Sequence, residues 1–458
     1  MKTSLLRLLV GVVCCAFLVG CNGSFFSPEN AIKAPSATGV YRGVQEALEA
    51  FAGKQVVLKY PLVEGKTTAF YPIDLDGDEI QEVLAFYRMP NEGDVTRISL
   101  LRSIDGNWSC SKDDTINPDV AENKTTPKGN VVNVDFCDLN HDGKTEIFVG
   151  WQDPVGDSLQ MGVYSLDPKR ITMQHLEPYT KYAFCDIDGN GVQDLCLASL
   201  VKNGNDMSSM ISFFTIGGKE KKFKKLDALQ LDNRALEYGQ LQIQAMSNGV
   251  PAVYLDVKTA DGMVTELVYM AKESGKLYNP FATEPLGINK TNTATFRYDG
   301  LETKDLDGDG ILEIPSRVKL PAATTHLVPN EKQPIEDDFF QYVIQWNQYR
   351  YDVAVPTRTW WYNRADGYYL EIAPELFGKY RVEMDPNGRC TFLSADETEG
   401  SKKLFHVKRY TVSEFALVSG VTELYKDDAY VWAVAVETDV PLQVTTEAIK
   451  QAFHLIAK

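Results

Sequence analysis

A mainly β fold built from repeated four-stranded sheets is what this sequence predicts, and three observations predict it. One nine-residue acidic pattern occurs four times, at residues 74–82, 138–146, 186–194 and 305–313. Each copy stands between short runs of β-branched and aromatic residues, the form of strand, tight turn, strand. Further strand pairs with turn signals follow the copies, as where residues 98–102 lead into Ser-Ile-Asp-Gly-Asn-Trp. Radially repeated sheets of four strands make a β-propeller, in which each blade buries both faces against its neighbours. The expectation is about five blades across residues 61–355, or six if residues 56–60 belong to another sheet. A small α+β domain over 356–458 follows.

In chain order, the first residues set the compartment. Lys2 and Arg7 precede an apolar run over residues 8–19, too short for the roughly 30 Å hydrocarbon core of a bilayer. A basic start and a short apolar stretch read as a secretory signal rather than a membrane span. The run ends in Leu18-Val19-Gly20-Cys21. This ending resembles the lipobox of bacterial lipoproteins. The resemblance implies a signal peptide over 1–20, a lipid on the sulfur of Cys21, and anchoring at the extracytoplasmic face of a membrane. Residues 21–40 then read as a tether and 41–60 as an N-terminal helix and strand, with the helix over 44–51.

Loss of residues 1–20 removes two cations and takes the formal charge from −17 to −19. So acidic a body argues against nucleic acid as a partner, and against anionic lipid as a partner of the protein surface itself.

Successive acidic copies start 64, 48 and 119 residues apart. The last gap is about double, so one unit has lost the motif. Residues 246–257, where Asn248-Gly249 turns into an alternating strand, fill that place. The alignment also explains the cysteines. Cys14 and Cys15 leave with the signal, and five remain beyond Cys21: Cys110, Cys137, Cys185, Cys196 and Cys390. Cys137 and Cys185 stand where the first unit has Ile73, and Cys196 where others have Leu84 and Phe148. They read as small buried hydrophobes, with no disulfide framework. Past the repeats, "GYYLEI", "KYRVEM" and "AYVWAVAVE" read as strands. Residues 446–457 read as a closing helix with Ala448, Ile449, Ala452, Phe453 and Ile456 on one side.

The acidic copies carry the chemistry. Calcium takes many oxygen ligands at flexible distances, and alternate positions of a tight loop present them together. In the fourth copy Asp305, Asp307 and Asp309 offer side chains at positions 1, 3 and 5, Ile311 a carbonyl at 7, and Glu313 closes at 9. The corresponding sets are Asp74, Asp76, Asp78, Ile80 and Glu82; Asp138, Asn140, Asp142, Lys144 and Glu146; and Asp186, Asp188, Asn190, Val192 and Asp194. Gly308 and Gly310 permit the positive φ that wraps a chain around an ion. Glu79 stands where the other copies have Gly143, Gly191 and Gly310, a departure costing about 1 kcal/mol if positive φ is required. The expectation is three to four structural Ca2+ ions, bound most tightly by the fourth loop. Closure at position 9 rather than 12 separates these loops from EF-hands. They resemble the FG-GAP or VCBS-type repeat of integrin-α-like propellers, and the whole chain resembles bacterial surface lipoproteins that carry such repeats. The resemblance implies calcium and a surface location, and it brings no reaction with it.

No HExxH, Gly-X-Ser-X-Gly or phosphate-cradling glycine loop is present. A module that binds or recognises a protein or glycan of the envelope or its surroundings is therefore expected. The alternative is an enzyme acting on polysaccharide or another envelope polymer, with Asp337, Asp338, Glu371 and Glu375 as its acids. Trp346, Trp360 and Trp361 are candidate ligand contacts by stacking, against an alternative as core packing.

Overall fold

A computed structural model describes residues 41–63, 68–91, 95–112, 115–116, 129–153, 156, 158–167, 170–203, 206–217, 222–281, 291–297, 300–320, 341–395, 402–438 and 444–456. The chain is mainly β, and it falls into two compact units, the first ending at Glu177 and the second beginning at Pro178.

In the first unit, helix α1 (Tyr41–Ala52) turns Val44 and Leu48, one helical turn apart, into a core with Phe70, Val83 and Leu101. Glu82–Arg88 and Arg97–Ile104 are the central strands of the first sheet. Phe70–Ile73 and Val57–Leu58 share one edge of Glu82–Arg88, pairing Ile73 with Glu82 and Val57 with Arg88. Asn107–Ser109 and Thr115–Ile116 likewise share the far edge of Arg97–Ile104. Six strands thus fill four columns, and Val57–Leu58 belongs to this sheet instead of opening another. The second sheet is a meander of Asn130–Cys137, Glu146–Gln152, Leu159–Asp167 and Arg170–Tyr179. Leu84, Phe86, Ile147, Val149 and Trp151 join the two sheets in one core. Glu82–Arg88 and Glu146–Gln152 are buried along six successive residues, as strands covered on both faces must be.

The second unit opens with two more meanders. One comprises Lys181–Cys185, Asp194–Asn203, Asp206–Gly217 and Lys222–Gln230; the other comprises Glu237–Ala245, Pro251–Lys258, Met263–Ala271 and Lys276–Tyr278. The second of these is the unit without acidic ligands, turned by Gly249 at φ 79°. Its strand Pro251–Lys258 is buried along six residues rather than alternating. An internal ion pair sits there: Arg297 Nη2 lies 2.7 Å from Asp256 Oδ1, with side chains 0% and 1% exposed. The Thr265 and Thr303 hydroxyls donate to the same carboxylate.

A fifth sheet holds Ile314–Lys319, Tyr342–Arg350, Val353–Asn363, Tyr368–Glu371 and the late strand Phe453–Leu455. The domain boundary expected at residue 356 falls inside its strand Val353–Asn363. A sixth sheet orders Tyr380–Met384, Cys390–Ser394, Lys403–Thr411, Tyr430–Val436 and Thr422–Lys426. Between its strands lies α2 (Val412–Phe415), started by a Thr411/Glu414 capping box. The closing helix α3 spans only Thr446–Ala452, and Phe453 leaves it in an extended conformation at ψ 127°. The expected helix to residue 457 is corrected by strand pairing, which sets Phe453 against Leu370 and stacks it 5.2 Å from Tyr368. Cys185, Cys196 and Cys390 are buried, Cys110 and Cys137 half-buried, and none forms a disulfide.

Candidate metal centre

All four acidic copies fold into one loop form. The residue before position 1 pairs across the hairpin with position 9 in every copy: Ile73 with Glu82, Cys137 with Glu146, Cys185 with Asp194, Lys304 with Glu313. The position-2 N–H donates to the position-9 carboxylate, from Leu75 at 3.1 Å, Leu139 at 3.0 Å, Ile187 at 3.3 Å and Leu306 at 2.9 Å. The position-6 N–H donates to the position-1 acid at 2.7–2.9 Å throughout. The position-7 N–H donates to the position-5 side chain, as from Ile311 to Asp309 at 2.8 Å. Buried Leu75, Leu139 and Ile187 anchor three of the loops from below.

Positions 4 and 6 are left-handed in each copy. Glu79 adopts φ 69° and His141 φ 52°, where Gly189, Gly191, Gly308 and Gly310 occupy the same places in the later loops. Gly77 is held further: a Cβ there meets the Gly143 carbonyl oxygen at 2.4 Å, because the first and second loops abut. Thr145 ties the two together, its N–H donating to the Leu75 carbonyl at 3.3 Å.

Carboxylate oxygens converge within 4.8 Å of one another in three sets: Asp74, Asp76 and Asp78; Asp186, Asp188 and Asp194; Asp305, Asp307 and Asp309. The second loop, with Asn140 in place of an acid, gathers no such trio among the described residues. The closing acids are buried, Glu82 4%, Glu146 5%, Asp194 0% and Glu313 0% exposed. Burial pushes the carboxyl of Glu146 up to about 7 and that of Asp194 up to about 6, and raises Glu82 and Glu313 as well. Asp305 moves the other way, held below the usual range chiefly by the Gly310 N–H.

Asp194 tests the fit of a cation. Its Oδ2 accepts from Ile187 and the Thr215 hydroxyl also acts on the carboxyl, while the buried Oδ1 has no hydrogen bond of ordinary geometry and the carboxylate lies in the trio with Asp186 and Asp188. A buried, unpartnered carboxylate oxygen costs free energy unless something positive meets it. An all-oxygen set on a flexible turn suits calcium. When bound, the ion neutralises carboxylates that otherwise repel each other.

Groups outside the pattern also reach the loops, and sequence reading missed them. Gln348 donates to Asp309 at 2.9 Å and to Glu313 at 3.0 Å, and Gln244 donates to the Gly310 carbonyl. Arg102 Nη1 lies 3.4 Å from both Asp76 and Glu82. None of the three side chains is near its loop in sequence, so no spacing announces it.

The tryptophans named as candidate ligand contacts take the other reading, as core packing. Trp346 and Trp361 are 0% exposed and Trp360 7%. Trp346 and Trp360 meet at 4.8 Å in a cluster that includes Leu306 of the fourth loop, and Trp361 packs on Phe392. Alternation along the strands turns them to opposite faces of the fifth sheet, and each face is covered. Of the candidate acids, Glu371 is paired with Arg358 at 2.9 Å and Glu375 sits in the turn Pro374–Leu376. Asp337 and Asp338 lie outside the described residues, as does Cys21. Among the described residues no helix is long and apolar enough to cross a membrane. A cleft of about 700 Å³ is lined by Arg364, Asp366, Arg409, Tyr430 and Trp432. Arg409 is held there by Asp366 at 3.0 Å, with its guanidinium over the ring of half-exposed Tyr430.

No family model and no curated protein matches the chain. Among solved structures it is similar to a rhamnogalacturonan lyase of Bacillus licheniformis, at 11% identity over 84% of this chain and 91% of that one, with a TM-score of 0.29. The rhamnogalacturonan lyase YesW aligns at 12% identity over 83% and 91%, with a TM-score of 0.26. An exo-β-1,3-galactanase from Phanerochaete chrysosporium aligns at 9% identity over 80% and 82%, with a TM-score of 0.25. Likenesses of this degree assign no activity to the chain.

Proposed function

We propose that this chain is a calcium-braced β-propeller of five blades, tethered through lipidated Cys21 to the outer face of a membrane, that binds a glycan or protein of the cell envelope or its surroundings. The buried Asp194 Oδ1, which makes no hydrogen bond of ordinary geometry, carries the calcium part of this reading within the Asp186–Asp188–Asp194 trio. Four successive sheets of four columns and a fifth of five, four of the five entered through one loop form, support the blade count. The calcium is structural. It relieves repulsion in the turns and meets the buried closing acids. Binding then falls to exposed surface, and the cleft of Tyr430 and Arg409 offers an aromatic ring with a fixed cation stacked over it.

Calorimetry on the full chain should find tight calcium sites, and Asp188→Ala should remove one of them. No heat of binding at any calcium concentration sinks the brace. Cys21→Ala should shift the protein out of the membrane fraction or leave an unprocessed precursor; unchanged fractionation and processing refute the anchor. On glycan and protein panels in the presence of calcium, Tyr430→Ala and Arg409→Ala should weaken whatever the chain retains. Turnover of a polysaccharide on the same panel overturns the binding reading in favour of an enzyme.

A further inference from the structure

The four loops differ in what faces them from the next strand. Val83 pairs with Leu101, Ile147 with Tyr164, Leu195 with Phe214 and Ile314 with Asn347. One step further along each ladder, the position-9 acids stand opposite Arg102, Ser165, Thr215 and Gln348 in turn. Three of these residues are neutral. The fourth loop shows what a neutral one does: the Gln348 amide donates to Glu313 and Asp309 and leaves the charge of the set unchanged. The first loop has a guanidinium in the same place, in contact with Asp76 Oδ2 and Glu82 Oε1 together.

We propose that Arg102 is the resident cation of the first loop and keeps calcium out of it, so that the ions this chain takes are held by its other loops. The inference rests on the calcium reading above. An ion at the first loop shares the Asp76 and Glu82 carboxylates with Arg102, which leaves the buried Asp76 Oδ1 without a hydrogen-bond partner, and a divalent charge beside a guanidinium is repelled at that range. Arginine keeps its charge at every pH at which the protein is folded, so the block is permanent. Glu82 is 4% exposed, which shields its share of the interaction from salt. The cross-strand residue is therefore the position that decides which loops are metal sites, although it lies outside the acidic motif.

The test counts calcium ions bound per full chain by equilibrium dialysis, with calcium alone as the probe. Arg102→Gln, which copies the fourth loop, should bind one more ion than the wild type, and calcium should raise its melting temperature by more. Asp76→Ala in the wild-type background should bind as many ions as the wild type. Asp188→Ala in the third loop should bind one fewer. A wild type that takes up ions, with Arg102→Gln adding none or Asp76→Ala losing one, overturns this proposal while the calcium reading stands. No uptake by the wild type or by Arg102→Gln overturns both. If Arg102→Gln does not fold, Arg102→Met takes its place in the count, and loss of an ion by Asp76→Ala still overturns the proposal.

Discussion

Glu79 keeps a full side chain at φ 69°, a place where three of the four loops have glycine. L-residues are strained in that region by about 1 kcal/mol. Glu79→Gly should therefore stabilise the chain by about 1 kcal/mol in urea denaturation; a loss of stability would show that the side chain has a partner worth more than the strain. Glu266 offers a residue-scale test by pH. It is 1% exposed, accepts hydrogen bonds from the Asp232 N–H and from Asn279, and burial raises its carboxyl above the ordinary 4.5. The folded chain then holds this proton more tightly than the unfolded one. The stability that the group contributes is full below 4.5 and is lost as pH rises through the raised value. The advantage of wild type over Glu266→Gln should thus shrink as pH rises from 4.5 through the raised value, and growth of that advantage as pH rises contradicts the assignment. Arg102 marks where residue-level reading stops. The ligands at positions 1, 3, 5 and 9 are local and legible. Their cross-strand partners lie 20, 19, 21 and 35 residues past the closing acid, because hairpin lengths differ.

At the scale of elements, strand–turn–strand forms were legible wherever a tight turn and its flanking runs sit together in sequence. The helix read over 44–51 spans 41–52, and the strands around residues 368–371, 380–384 and 430–436 stand where their runs place them. Non-local pairing was not legible. The apolar spacing of Ile449, Ala452, Phe453 and Ile456 continues a helical stripe past Ala452, yet the open edge of Tyr368–Glu371 takes Phe453–Leu455 as a strand. Phe453 is 9% exposed and packs among Tyr368, Leu370 and Trp361. Phe453→Ala should cost about 3–4 kcal/mol, read as a shift in the urea midpoint with an unchanged slope. A cost below about 1 kcal/mol would mean that the strand frays and the edge is open in solution.

Across the whole molecule, charge sets the behaviour. With 63 acidic and 46 basic side chains, many of the acids gathered in loops, the chain carries strong self-repulsion that bound calcium offsets. EDTA should lower the melting temperature, and free calcium at about a hundred times the dissociation constant should restore about 2.7 kcal/mol per site. A melting curve indifferent to chelation contradicts the brace. The cysteines carry a different consequence. Cys185 and Cys196 fill core positions as isoleucine and leucine do elsewhere, and burial pushes the Cys185 thiol up to about 12 and raises Cys196 still further. Disulfide exchange needs a thiolate within reach of another sulfur, and these two sulfurs are protonated and sealed. These two core positions are accordingly indifferent to the redox poise around the chain, and the sheet they fill should pack alike in reducing and in oxidising surroundings.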